Sequence, residues 1–180
     1  MTREETDRAR KQAAVLLYQA GIALTPVEVE MMEVADFGLG NLPRYGFEII
    51  TYVNNARYCA KEIVLFPGQI CPEHYHPPLA GSNPGKQETF RCRWGIVYLH
   101  VPGEPTLFPK ASVPPGDEAF FTAPREVVLR PGDQYTLPPN TLHWFQAGDD
   151  GAVLSEFSSA SVDEMDVWTD PRIKRIPIYS

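Results

Sequence analysis

Apolar residues follow two spacings along this chain, helical before Phe47 and strand-like after it. From Thr2 to roughly Ala20, the residues Ala9, Ala13, Leu16, Leu17 and Ala20 recur at helical intervals, and Gly21 follows as a stop signal. This predicts an amphipathic helix. The stretch from Thr25 to Val34 favours a second helix, with Thr25 as N-cap and Pro26 in the first turn, although Val27, Val29 and Met31 alternate as a strand would. Residues 36–43 are loop by composition.

From Phe47 the chain becomes a series of short β-rich runs punctuated by Gly, Pro and Asn. They are Phe47–Val53, Tyr58–Phe66, Thr89–Tyr98, Glu126–Leu129, Gln134–Leu137, His143–Ala147 and Ala152–Ser158. Such runs with turn signals between them predict an antiparallel sandwich or barrel and not a parallel α/β sheet. Nothing in the composition divides the chain. One domain is expected over 1–180, with a helical and loop extension over 1–45, a β-barrel over 46–160 and a tail over 161–180.

Composition narrows the function classes. At 180 residues, 43% hydrophobic and 22% charged, the chain has the make-up of a soluble globular protein long enough to bury a core. A net charge of -7 with Lys and Arg scattered singly gives no continuous basic surface, so neither nucleic acid nor membrane is an expected partner. The charged N-terminus lacks the apolar centre of a secretory signal and no run of eighteen apolar residues occurs, which predicts a cytoplasmic protein. Cys59, Cys71 and Cys92 are odd in number without paired spacing, so they read as small buried apolar residues and not as a disulfide framework.

Chemistry concentrates between Gly68 and Gly95. His74 and His76 stand two apart, so on an extended strand both rings face one side, and Glu88 follows a Pro/Gly-rich loop at the head of the next strand. A turn signal at Pro138-Pro-Asn-Thr-Leu delivers His143 at the start of another apolar strand. Three imidazoles and one carboxylate make a nitrogen/oxygen set suited to Mn, Fe, Co, Ni or Zn, with coordination positions left open. His100 lies off the pattern and reads as structural or exposed.

Those spacings resemble the two cupin motifs. Gly68, His74-x-His76, Glu88 and Gly95 match the first; Gly132, Pro138-x-Asn140 and His143 match the second. The resemblance implies an all-β double-stranded β-helix, a jelly-roll barrel. Asn140 stands where the motif usually has glycine, and asparagine tolerates a left-handed turn. Residues 77–87 form an insert longer than usual, enough for a loop over the barrel's mouth.

Beyond the motifs, Tyr52-Val-Asn-Asn-Ala-Arg-Tyr-Cys-Ala-Lys-Glu62, Pro72-Glu-His-Tyr-His-Pro77, Gly85-Lys-Gln-Glu-Thr-Phe-Arg-Cys-Arg-Trp-Gly95, Tyr98-Leu-His-Val-Pro-Gly103 and the run from Ser155 to Arg172 resemble D-lyxose isomerases over nearly the whole chain. This implies a Mn2+-dependent or Co2+-dependent interconversion of D-lyxose with D-xylulose. D-mannose and D-fructose would be secondary substrates, and the enzyme a cytoplasmic homodimer. The family's metal ligands map onto His74, His76, Glu88 and His143, a set that also suits Fe2+ and Zn2+.

Moving a carbonyl from C1 to C2 takes a proton from C2 and returns one at C1 through a cis-enediol. A divalent metal with two adjacent open positions can stabilise the charge that develops, and a base must shuttle the proton. Lys86, two residues before Glu88, is one candidate; beside a cation it either loses its proton more easily or stays charged and steadies the substrate oxygens. Glu156 is the other, a carboxylate in the late apolar strand, although the apolar alternation there does not say which face it takes. Glu62 and Glu73 read as surface residues. Phe90, Trp94, Trp144 and Phe145 either shape a sugar pocket or are plain core.

The closing segment runs from acidic residues at Asp163–Asp170 into the basic tail Pro171–Tyr179, suited to pair across a dimer or to cover the barrel's end. In it Asp166 and Arg172 either close the pocket or form surface ion pairs. Two rival classes use the same ligands: a cupin oxidoreductase of the dioxygenase or oxalate type, and a non-catalytic sugar-binding cupin.

Overall fold

The computed structural model describes residues 1–81 and 83–175. Thr2 caps α1 (Arg3–Gln19): its hydroxyl accepts from the Glu5 N–H, while the Glu5 carboxylate accepts from the Thr2 N–H. Thr25 and Glu28 repeat the arrangement at α2 (Pro26–Met31), so the helical reading of that stretch holds as far as Met31, beyond which Glu33 and Val34 enter a strand.

The strands are β1 (Glu33–Ala35), β2 (Phe47–Asn54), β3 (Cys59–Leu65), β4 (Ile70–Tyr75), β5 (Glu88–Val101), β6 (Arg125–Leu129), β7 (Gln134–Leu137), β8 (His143–Ser158) and β9 (Val167–Trp168). They join in one curled sheet in the order β1-β2-β3-β8-β4-β9, while β5 pairs with β8 and carries β6 and β7. Every strand pairing is antiparallel. The cupin-type, all-β double-stranded β-helix expected from the sequence is the fold observed. β1 and β9 went unread because strands of two or three residues are too short for alternation to register.

One expected turn is absent. Gly148-Asp-Asp-Gly151 reads as a break between two strands, yet β8 runs straight through it. The paired β5 shifts register between Gly95 and Val97, and a Cβ at Gly95 would lie 2.0 Å from the Gly151 carbonyl oxygen. Two glycines at positive φ thus let both strands bulge together instead of reversing.

The sheet buries apolar residues on both faces. Phe47, Ile49, Ile63, Leu65, Phe90, Leu99, Phe145 and Leu154 fill the interior, while Ile50, Val64 and Val153 meet Ala9, Ala13 and Leu17 of α1 on the outside. This two-sided burial hid the phase of β8. Ala152 and Leu154 face inward and Val153 faces α1, which puts Glu156 on the inner face. Glu62 has the opposite phase, as expected, but it is buried, accepting from the Ser155 hydroxyl at 2.9 Å, and is no surface residue. All three cysteines are buried and free.

The tail folds back across the barrel's end. Lys174 donates its N–H to the Phe37 carbonyl, Ile173 packs on the interior core, and the Arg175 guanidinium lies over Phe47. The rest of the expected basic tail, 176–180, lies outside the described residues. Among the described residues no helix is long and apolar enough to cross a membrane.

Candidate metal centre

The second histidine of His74-x-His76 lies just past the end of β4, while Glu88 opens β5 and His143 opens β8. His74 and His143 are direct cross-strand partners, with ring centroids 4.3 Å apart. His76 joins them from the same side at 5.0 Å and 5.6 Å. All four residues are buried. The turn before His143 needs a left-handed residue, and Asn140 supplies it with φ 60°.

Each imidazole has its Nδ1 beside an acceptor. His74 Nδ1 lies 2.8 Å from the Pro72 carbonyl, His143 Nδ1 2.9 Å from the Thr141 carbonyl, and His76 Nδ1 2.5 Å from Asp166 Oδ1. A carbonyl or carboxylate can only accept, so each Nδ1 carries a proton; Nε2 of His74 and of His143 then holds a lone pair, while His76 Nε2 donates to Glu88 Oε1 at 3.0 Å and becomes a ligand on giving up that proton. The three rings offer ligand atoms within 4.8 Å of one another. His143 Nε2 is 3.1 Å from Glu88 Oε1 but outside hydrogen-bonding geometry, so this buried nitrogen has no hydrogen-bond partner in the protein. An orphaned buried nitrogen with two more imidazoles and a carboxylate around it fits a divalent cation.

Electrostatics separate the groups. Burial, helped by the two neighbouring rings, holds His74 well below the ordinary range, so it is neutral and ready to ligate. Burial pulls His76 the same way, but Glu88 and Asp166 outweigh it and raise it to about 9. Against its own burial, Glu88 is held well below the carboxylate range by Lys86 and His76.

Lys86 reaches the centre from the loop of residues 77–87. Gly85 makes this possible: at φ 98° a Cβ there would lie 2.5 Å from the His76 carbonyl oxygen. The Lys86 ammonium sits between Glu88 Oε2 at 2.6 Å and Glu156 Oε1 at 2.7 Å. Those two carboxylates outweigh burial and raise its pKa, which favours the charged state. Glu156 also accepts from the Ser158 hydroxyl at 2.9 Å.

Phe90 and Phe145 line the cavity at this centre. Trp94 packs toward α1 and Trp144 stacks on His100, so neither borders it. His100 is buried and structural. The sequence reading missed Lys61, Asp163, Trp168 and Arg175, which line the same cavity. Lys61 carried a signal, since it shares the phase of Cys59, Ile63 and Leu65, where a lysine has no reason to be unless it faces a polar interior. Asp166 is buried against His76 and forms no surface pair, whereas Arg172 is half-exposed and binds Asp170 and Asp117. Glu73, expected at the surface, is fully buried; its carboxylate accepts from Thr122, Ala123 and Thr169.

The space among these side chains is about 30 Å3, room for about one water or an ion. A larger recess of about 680 Å3 lies against α1, but its lining has no histidine and no converging ligands. The converging histidines and carboxylates lie at the smaller space.

No protein-family model matches the chain. It is 62% identical over 177 residues to the D-lyxose ketol-isomerase of Thermofilum sp., covering 98% of each protein. It is 63% identical over 161 residues to the D-lyxose/D-mannose isomerase of Thermosediminibacter oceani, covering 89% of this chain and 88% of that protein. Among solved structures, the L-ribose isomerase of Acinetobacter sp. DL28 in complex with L-ribose superposes with a TM-score of 0.80 over 96% of this chain and 94% of its own. At 18% identity that likeness shows the fold alone. Of the three function classes left open by the residues, the sequence relatives select one: this chain belongs to the D-lyxose ketol-isomerase family and is a sugar isomerase.

Proposed function

We propose that this protein interconverts D-lyxose and D-xylulose, and more slowly D-mannose and D-fructose, by proton transfer through a cis-enediol. Its cofactor is Mn2+ or Co2+, held by His74, His76, Glu88 and His143 in a single domain over 1–180, and the enzyme works as a cytoplasmic homodimer. The names of the relatives support the sugars. The ligand set supports a divalent ion but suits several, so the choice of Mn2+ follows the family resemblance. When bound, the ion supplies positive charge next to the sugar's first two oxygens as negative charge develops there.

Glu156 is the base in this reading: its carboxylate takes the proton from C2 and returns one at C1. Lys86 keeps its proton and, between Glu88 and Glu156, steadies the developing charge. The single observation that carries the proposal is this Glu88–Lys86–Glu156 chain of contacts beside three imidazoles whose ligand atoms lie within 4.8 Å of one another. It supports a proton carrier one side chain away from the ligand cluster. Admission of a sugar requires the mouth to open, where Pro77, Leu79 and Asn83 face Val162 and Met165.

The test is conversion of D-lyxose followed by proton NMR before chelation, after chelation and after Mn2+ is returned. The proposal expects D-xylulose in the first and third samples and none in the second. Equal conversion in the chelated sample overturns the metal requirement, and no ketose in any sample overturns the substrate.

A further inference from the structure

The His74 and His143 tautomers are fixed by main-chain carbonyls, but that of His76 depends on a side chain from far along the chain. Asp166 Oδ1 lies 2.5 Å from His76 Nδ1, and both side chains are buried. Asp166 belongs to a strap that also carries Trp168, whose ring stacks on His74 with centroids 4.5 Å apart and planes 25° from parallel.

The register explains the match. β9 pairs antiparallel with β4, with His74 opposite Trp168 and Tyr75 opposite Val167. Continuing that register sets His76 beside Asp166. Two strap residues two apart therefore meet two histidines two apart, on one face.

The strap is pinned on both sides of Asp166. Asp163 accepts from Lys61 at 3.2 Å and Arg175 at 2.6 Å, and Thr169 donates its N–H and its hydroxyl to Glu73 at 3.0 and 2.8 Å. Glu73 lies next to His74 on β4, so the strand that carries the histidines also anchors the strap that aligns them.

We infer that Asp166 is a positioning residue for the metal centre: it holds the His76 proton on Nδ1 and aims the Nε2 lone pair at the cation, while Trp168 fixes the plane of His74. The inference rests on the ligand assignment proposed above. A hydrogen-bonded acceptor behind a ligating histidine typically governs metal affinity by 10–100-fold. Asn in place of Asp166 keeps the shape but gives up the charge. Its amide can also present N–H to Nδ1, which moves the imidazole proton to Nε2 and blocks that ligand.

The experiment measures Mn2+ affinity, by EPR of the free ion, for the wild type and for Asp166→Asn, with thermal unfolding of both. We expect Asp166→Asn to bind Mn2+ about tenfold or more weakly, with the unfolding temperature of the metal-free protein little changed. Equal affinity overturns the inference. A second measurement needs no variant: long-range 1H–15N correlation on the Zn2+-loaded wild type should show His76 protonated at Nδ1, and a proton at Nε2 overturns the inference. Wild type that takes up no divalent ion sinks the ligand assignment itself, a result distinct from equal affinity in the two proteins.

Discussion

Asn140 donates its backbone N–H to the carbonyl oxygen of His76 at 3.2 Å, tying the turn before His143 to the end of the strand that carries the other two histidines. Asn140 is one of two non-glycine residues at positive φ among those described, and it stands at the hinge of the ligand set. Asn140→Gly keeps the left-handed turn and should leave stability and metal affinity near wild type. Asn140→Val should cost about 1–2 kcal/mol and weaken Mn2+ binding, because His143 then loses its fixed approach. Thermal unfolding and ion titration of the two variants check this; equal behaviour of valine and glycine would contradict it.

Glu73 is a second, purely structural expectation. Its buried carboxylate accepts from the N–H and hydroxyl of Thr122, the Ala123 N–H and the Thr169 hydroxyl, all between 2.6 and 2.9 Å. Glu73→Ala strands those donors, at a cost of about 3 kcal/mol. For a chain of this size the unfolding temperature should drop by roughly 6–12 °C. A drop under about 2 °C would show that the loop reorganises around the loss.

Much of the candidate centre was legible in the sequence because side chains that converge on one point from neighbouring strands must keep a fixed spacing. Two histidines on one face of a strand, an acid at the head of the next and a histidine after a Pro-Asn turn are fixed by strand period and turn chemistry alone. What was not legible depended on partners far away in sequence. Glu73 and Glu62 were rightly placed off the site by phase, but their burial comes from Thr122, Thr169 and Ser155, which no local pattern announces. The face of Glu156 was hidden because Val153 is buried under α1 while Ala152 and Leu154 are buried inside. For Asp166 the sequence left pocket closure and a surface ion pair both open, and only the pairing of β9 with β4, which brings it to His76, decides between them.

Glu48 gives a pH-dependent expectation remote from the centre. It is wholly buried, neither carboxylate oxygen makes a hydrogen bond of good geometry, and burial raises its pKa well above the ordinary 4.5, outweighing the opposing pull of the nearby Gln69 side chain. The folded protein therefore keeps this proton where the unfolded chain has released it. Ionisation costs nothing below about 4.5 and a growing amount as pH rises toward the folded value. Glu48→Gln removes that cost, so its unfolding temperature relative to wild type should rise steadily from pH 4 to pH 8. A difference that stays flat across this range would contradict a buried neutral acid.

Glu156→Gln separates proton transfer from binding. It keeps the shape and the contact with Lys86 but cannot take a proton, so kcat should fall about 100-fold or more while Mn2+ affinity stays within a factor of about two. Steady-state kinetics with D-lyxose and ion titration read both. Undiminished kcat would move the base elsewhere.

The central claim is that a side chain beside the three-histidine cluster takes a sugar's C2 proton, exchanges it with water and returns one at C1. The Mn2+-loaded protein incubated with D-lyxose in deuterated water until equilibrium tests it most directly, with the ketose read by NMR. The account predicts D-xylulose carrying deuterium at C1. D-xylulose formed over many turnovers with only protium at C1 would contradict it.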